Sequence, residues 1–550
     1  MTDRELSLYL PDGYVDPPTN PYGRHVANAG TYRALVRYGD FDRIHVQCRV
    51  PPAPELMAAE LHRRPGGPRI TTGPLLTTDQ STAAGTQLYG QAYLSQPAWI
   101  RRAAGRDDAY SIVGTMFAFA SATHREQMMQ STLAPIREWD AVICSSPTLV
   151  ETVSGVYDSW EEHLRERMGT SLMLPRPQLP VIPFGSNVAS LAERGHDSGS
   201  RDETRAHWGV GPDDVVVFSL GRLSYYDKAY PQATFRAVAE TRNRTGRRMH
   251  LVMAGWFPDG EADRHRYEQA ALRHAPGVPV MFLDGNDQEV VTRCWAAADV
   301  FMLLSDTILE TFGQGLVEAM AVGLPLVVSD WDGYRFIVRD GVDGYLIPTL
   351  GAAPGRLGEV LAMLQYVGDL GYSRYAGAVA QHTAVNVPAT VTALSALVES
   401  ADLRARMGAA GQRAARDRFD WPVVTARYLE LFEELADRRR GHGDTARAQR
   451  VNPLRGDPFG DFATLPSRVI DDDVVVRRTQ SDGPDLGVEL DMMFPGLRGT
   501  PEEAAQVLDL LEECGDLAVG EVLGRFPRHR RPFVRNTVCW LAKSGAIDWR

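Results

Sequence analysis

Short apolar runs recur along the chain, separated by stretches of helical length. The first is "LSLYL" at 6–10, and "RIHVQCRV" (43–50), "AYSIVGTMF" (109–117) and "DAVICSS" (140–146) follow it. Between the first two lies "PDGYVDPPTNPYGRHVANAG", a loop dense in Pro, Gly and Asn, and then a predicted helix, "TYRALVRYG". A further helix is expected from Pro147. Strands alternating with helices in this way predict a parallel sheet wrapped on both faces. The rhythm stops at "LPRPQLPVIPFGSN" (174–187). Proline fixes φ and removes a backbone donor, so regular structure is expected to end there and a hinge to begin.

A second series starts at "DDVVVFSLGRL" (213–223) and continues through "MHLVMAGW", "PVMFLDG", "VFMLLSD" and "LPLVVSD". Near-continuous apolar runs are what a strand covered on both faces requires. The fold class expected is therefore α/β, with two doubly wound Rossmann-like domains joined by a hinge and ligands in the crevice at the strands' carboxyl ends. "RLGEVLAMLQYV" and "PATVTALSALVES" read as helices without assigned chemistry, and 402–440 is strongly helical. "GHGDTARAQRVNPLRGDPFGDF" reads as a polar linker. Three short helical runs within 501–545 and the extended end "AIDWR" suggest a small, helical, winged-helix-like module. The expected boundaries are 1–185, 186–440, a linker at 441–465, and a module at 466–550.

Composition narrows the function classes. A net charge of -12 argues against general binding to nucleic acid or anionic membranes, so any phosphate site must be a local concentration of positive charge. The five cysteines are scattered and form no CxxC pair or Cys/His cluster, so neither a disulfide framework nor a zinc site is suggested. No apolar run approaches the ~20 residues that span a bilayer, and the N-terminal "MTDRELSLYLPDGY" lacks a signal-peptide core, which reads as cytoplasmic with no transmembrane anchor.

The stretch from Glu310 to Gly333, "ETFGQGLVEAMAVGLPLVVSDWDG", carries the chemistry. "DTILETFGQG" follows a buried strand and "LVEAMAVG" is the next helix. A helix start offers unpaired N–H groups and partial positive charge, and Gly313 and Gly315 would let a phosphate approach the backbone. Glu310 and Glu318 would repel that phosphate, so their expected work is to accept hydrogen bonds from hydroxyls on either side of it. A sugar nucleotide has that layout. Arg222 and Lys228, in "SLGRLSYYDKAYP", lie after the first strand of the same domain and suit a diphosphate.

"GRLSYYDK", together with "ETFGQGLVEAMAVGLPLVVSDWDGYRFIVRDGVDGYLIPT", resembles the donor domain of family-four retaining glycosyltransferases of the GT-B fold (glycosyl transferases group 1). The resemblance spans about the first 440 residues and is strongest from Val215 to Pro348. It implies that Arg222 and Lys228 bind the donor diphosphate, with Gly221 beside them. Glu310 would face the transferred sugar and Glu318 the ribose, while the backbone of Phe312, Gly313, Gln314, Gly315 and Leu316 holds the phosphates. It further implies no metal or other cofactor, front-face attack, and a final helix near 428–440 that crosses back onto the first domain.

The implied activity is transfer of a hexose from a nucleoside-diphosphate sugar to an unidentified acceptor. The pattern is broken at "GTMFAFAS", where Phe117 stands in place of the family's usual histidine; His124, seven residues on, is a candidate substitute. Gly23, Arg24 and Asn28 are placed at the cleft mouth as a candidate acceptor or phosphate loop, with a glycine turn as the plainer reading. Trp256 and Tyr334 either line the nucleotide pocket or pack. The basic run "RFPRHRRPFVR" reads as a solvated face or protein contact, through which the terminal module would self-associate or meet a partner. Two alternatives stand: a non-catalytic sugar-nucleotide binder that signals through its terminal module, and a same-fold sugar-nucleotide epimerase or hydrolase.

Overall fold

The structure is a computed structural model and describes residues 4–18, 20–62, 66–169, 173–195, 198–442, 450–479 and 496–550. It divides into two compact units, 1–452 and 453–550. Part of the expected linker, 443–449, lies outside the described residues.

The first unit holds two six-stranded sheets, all of whose pairings are parallel. Strands β1 (Glu5–Tyr9), β2 (Arg43–Cys48), β3 (Arg69–Pro74), β4 (Thr86–Tyr89), β5 (Ser111–Thr115) and β6 (Ala141–Ile143) stand in the order 3-2-1-4-5-6. Strands β7 (Val215–Leu220), β8 (Met249–Gly255), β9 (Val280–Asp284), β10 (Val300–Leu303), β11 (Leu326–Ser329) and β12 (Gly344–Ile347) stand in the order 12-11-10-7-8-9. The two orders are the same doubly wound plan, whose strand order reverses beside the first strand of each domain and opens a crevice there. This is the GT-B fold. The sequence pattern yields none of β3, β4 and β12, and the structure adds all three.

In the proline-rich segment regular structure stops as expected, with no strand or helix between residues 174 and 187. It meets β6 only through isolated parallel bridges, with Gln178 N–H donating to Asp140 O (2.8 Å) and Ile182 N–H to Cys144 O (3.0 Å). Pro180 stands between those two donors and faces β6, where its carbonyl accepts from Cys144 N–H (2.9 Å) but it has no N–H to give, so the ladder is interrupted and no continuous strand forms.

The hinge lies just beyond. Ser186 N–H donates to Phe419 O (2.8 Å) and Trp421 N–H to Ser186 O (3.2 Å), so the two chain crossings between the domains run side by side. At this point the long helical run breaks into Ala401–Phe419 and Trp421–Arg440, with Asp420 as N-cap and Pro422 in the first turn of the second. That second helix buries Val424, Tyr428, Leu431 and Leu435 in the core of the first domain, beside Tyr32 and Leu35. The implied return onto the first domain is present.

Between a two-stranded antiparallel ribbon, β13 (Thr349–Gly351) with β14 (Thr383–Val385), the chain forms helices at Arg356–Tyr366 and Tyr372–Ala380.

The second unit contains helices at Pro501–Cys514, Val519–Gly524 and Arg531–Lys543 around a core that includes Val507, Leu511, Val522, Val538 and Leu541. The first of these starts with a capping box between Thr500 and Glu503. A three-stranded antiparallel sheet joins them, with β15 (Val475–Arg478) between β16 (Leu517–Ala518) and β17 (Ile547–Trp549). The extended end "AIDWR" is the edge strand β17. In the basic run, Arg530 forks onto Glu503 (2.8 and 2.7 Å) and Arg535 reaches Asp472 (2.5 Å), so both are held within the module.

Candidate functional site

A cleft of about 850 Å³ lies between the two sheets of the first unit, at their carboxyl ends. The loop after β7 brings in its first cations. Gly221 has φ +145°, and at Gly255 on the neighbouring strand end a Cβ would sit 1.9 Å from the Gly221 carbonyl, so the two backbones approach as only glycine permits. That approach turns Arg222 and Lys228 into the cleft. Arg222 Nη1 donates to both carboxylate oxygens of buried Asp227 (2.6 and 2.7 Å), which fixes the guanidinium from behind. Ser224 Oγ donates to the same carboxylate (2.5 Å). Asp227 lies inside the stretch already singled out, yet its role depends on how the loop folds back, which spacing alone does not disclose. The Arg222 guanidinium also lies over the Tyr22 ring, 5.3 Å from its centroid.

Lys228 Nζ donates to Glu310 Oε2, joining the two strand-end loops across the cleft floor. Beyond Glu310 the chain enters the helix Gln314–Val322 through Gly313, whose φ is +103°. A Cβ there would meet the Tyr334 ring at 2.5 Å, so Gly313 is required by both conformation and space. Phe312, Gln314, Gly315 and Glu318 line the cleft with it. Leu316 does not: its side chain is fully buried in the core, and its N–H is taken by Gly313 O (3.0 Å). Of the expected phosphate-holding backbone, Leu316 therefore drops out. Tyr334 is likewise packing rather than lining, fully buried beneath Gly313, whereas Trp256 does line the cleft, edge-on to Tyr22 at 6.0 Å.

Glu318 is half-buried, and that burial pushes its carboxyl up to about 7 against the opposing pull of Arg194. Burial also raises Asp306, at the end of β10, to about 7. Asp332 is raised to about 6, first by burial and then by the charge of Glu310, while a hydrogen bond from Ser146 Oγ (2.8 Å) works the other way. Ser146 also caps the helix Pro147–Met168, so this bond ties a first-domain helix start to a second-domain loop.

On the first-domain side the loop assignment at the cleft mouth needs correction. Gly23, Arg24 and Asn28 sit in the opening turns of a helix, Gly23–Tyr38, that starts eight residues before the predicted one. All three line the cleft. Asn28 Nδ2 donates to Gly90 O (3.0 Å), so this amide fastens the helix to the end of β4. Arg24 makes no ion pair among the described residues. Phe117 lines the cleft with its ring stacked on Phe184 (5.2 Å, 6°), and its carbonyl accepts from Thr311 Oγ1 of the second domain. His124, on the helix Ala122–Ser131, also faces the cleft, and burial lowers its pKa, so the ring is neutral near pH 7. Among the described residues, no cluster of three or more His, Cys, Asp or Glu is arranged to hold a metal ion, and no helix is long and apolar enough to cross a membrane.

The model of the family described as Glycosyl transferases group 1 matches residues 200–353. The matched span contains the loop of Arg222 and Lys228 and the helix start at Gly313. Phosphatidyl-myo-inositol mannosyltransferase of Mycobacterium tuberculosis (strain CDC 1551 / Oshkosh) is 29% identical over 282 residues, 51% of this chain and 63% of that protein. D-inositol 3-phosphate glycosyltransferase of Nocardia farcinica (strain IFM 10152) is 30% identical over 175 residues, 31% of this chain and 37% of that protein. The chain thus spans less than two thirds of the length of either relative. A solved glycosyltransferase from Rickettsia africae ESF-5 superposes with a TM-score of 0.50 at 10% identity, covering 79% of this chain and 99% of that one, a likeness of fold alone.

Proposed function

We propose that this chain is a retaining glycosyltransferase that moves a hexose from a nucleoside-diphosphate sugar to an acceptor bound on the first-domain side of the cleft. One observation carries the reading: Arg222, Lys228 and the Gly313 helix start converge on one cleft floor, flanked by Glu310 on one side and Glu318 on the other. The names of the two relatives, a mannosyltransferase and a glycosyltransferase, support the same class of reaction.

In this account the donor diphosphate lies over the helix start, where unpaired N–H groups and the partial positive charge face it. Arg222, held by Asp227, and Lys228 stabilise the negative charge that grows on the leaving diphosphate, the largest contribution expected in such chemistry. Lys228 does this while keeping Glu310 close, so one ion pair serves both diphosphate and sugar. Glu310 accepts hydrogen bonds from the sugar hydroxyls and Glu318 from the ribose. The two cations and the helix start supply the positive charge, so the reading calls on no metal. The acceptor hydroxyl attacks the anomeric carbon from the face the diphosphate leaves, forming the new C–O bond as the old one breaks. Its proton passes to a departing phosphate oxygen. The two domains and their hinge exclude water that would otherwise hydrolyse the donor.

Phe117 favours a second reading, a sugar-nucleotide binder without transfer, because a packed aromatic ring stands where the resemblance leads one to expect an imidazole. Incubation with a panel of nucleoside-diphosphate sugars, with and without cell extract as acceptor source, separates the readings. Extract-dependent release of nucleoside diphosphate, with a new glycosylated product, is expected. Tight donor binding without release would overturn transfer, and acceptor-independent conversion of the donor would point to an epimerase or hydrolase.

A further inference from the structure

The chain between β13 and β14 forms two helices, and almost all of it lies beyond residue 353, where the family match ends. The second helix is anchored. It buries Ala376, Gly377 and Ala380, and a Cβ added to Gly377 would stand 3.1 Å from the side chain and carbonyl of Tyr226. Tyr372, its first residue, faces the cleft with its ring edge-on to His124 (6.2 Å, 67°).

The first helix, Arg356–Tyr366, behaves differently. It buries no residue, although Leu357, Val360, Leu361, Met363, Leu364 and Tyr366 make up more than half of it. Leu361, Leu364 and Gln365 are half-buried and form the face turned toward the protein. Residues three and four apart share a helix face, so Val360, Met363 and the C-cap residue Val367 form a separate stripe. These three are 47%, 60% and 60% exposed, and Tyr366 beside them is 73% exposed. A contiguous apolar stripe left to water marks a contact surface.

The charges at its two ends say what the contact is. Arg356 stands seven residues before Met363 and Asp369 six after it, in the turn that ends the helix. At the helical rise each lies roughly 10 Å along the axis from Met363. Both are exposed, and neither side chain is in an ion pair among the described residues.

We infer that this helix is a homodimer contact, packing antiparallel on the same helix of a second copy about a two-fold axis at Met363. The register is self-complementary, as an isologous interface requires. Turned about Met363, Val360 meets Val367 of the second copy and Arg356 meets its Asp369, and the axis makes each pair twice. A bilayer fits less well, because charges of both signs bound the stripe and a chain of net charge -12 is repelled by anionic lipid. A helix of three turns covers less than a standard interface, so association is expected at micromolar concentrations rather than nanomolar. The inference does not depend on the transferase reading.

Sedimentation velocity on the full chain, over roughly 1 to 100 μM, is the test. A monomer–dimer equilibrium is expected. Met363→Glu sets two carboxylates face to face on the axis and should weaken the dimer about tenfold or more. Arg356→Glu and Asp369→Arg each oppose like charges twice and should each weaken it about threefold to tenfold. Mixed in equal amounts, those two variants should associate as the parent does, since every pair across the axis is then opposite in sign. All three positions are exposed, so melting temperatures should match the parent. A chain that stays monomeric throughout would overturn the inference. So would a dimer that survives Met363→Glu, or charge variants that fail to recover on mixing. A monomer that binds phosphatidylcholine vesicles, and loses them with Met363→Glu, would give the face to a bilayer and overturn it too.

Discussion

Lys228 and Glu310 restrain one another across the cleft, and each also has a separate task in the proposed reaction. Lys228→Ala is therefore expected to lower turnover by about a hundredfold or more, the scale of losing one preorganised charge contact. Steady-state kinetics on the transferred sugar checks this, and near-normal turnover would contradict it. Glu318 makes a pH prediction. Its carboxyl titrates near 7 in the fold against an ordinary value of 4.5. Between those values the folded chain binds more protons than the unfolded one, so this group's contribution to stability falls as pH rises through about 7. Glu318→Gln removes that dependence and should raise the melting temperature relative to the parent more at pH 8 than at pH 5. Thermal unfolding at the two pH values reads the difference, and an equal shift at both would contradict the assignment. Gly313→Ala should be poorly tolerated, because φ +103° and the Tyr334 ring both exclude a Cβ. That Arg222, Lys228, Glu310 and Glu318 line one cleft was legible in the sequence, because the first three lie in loops that follow apolar strand runs of one sheet and Glu318 lies in the helix after the last of these loops. The fork of Asp227 onto Arg222, the exclusion of Leu316 and the place of Tyr372 were not, since each depends on how separate segments meet in space.

At the level of elements, five strands of the second sheet, β7 to β11, were legible because they read as unbroken apolar runs, whereas the short edge strand β12, "GYLI", did not stand out. β3, "RITTGP", is a sheet edge with polar positions, and β4, "TQLY", spans four residues before a glycine, so neither stands out from loop sequence. The helix Gly23–Tyr38 was placed late because its first turns carry Gly, Arg, His and Asn, which local preference assigns to a loop. Packing of Ala27 and Ala29 into the two domain cores overrides that preference. The hinge makes its own prediction. The Trp421 ring lies so close to Gly30 and Gly185 that a Cβ on either would approach it to 2.6 and 2.3 Å. Gly185→Ala must displace the ring or the crossing strand, an overpacking cost of about 1–3 kcal/mol. A melting temperature lowered by several degrees is expected, and an unchanged one would show that the hinge yields freely.

Taken whole, the chain places every proposed donor residue in the unit 1–452 and none in 453–550. The second unit has its own buried core and its own sheet. A chain ending at Asn452 is therefore expected to fold and to keep nucleotide affinity, which thermal shift with added UDP or GDP would show; an unfolded product would make the terminal module part of the catalytic core. The central claim is that Arg222 and Lys228 build a diphosphate site in the cleft, and calorimetric titration with UDP and GDP tests it most directly. The account predicts that the parent protein binds at least one of the two, and that Arg222→Ala and Lys228→Ala each weaken that binding about tenfold or more, as expected for a lost charge-assisted contact. A parent protein that binds neither nucleotide, or variants that bind as well as the parent, would contradict it.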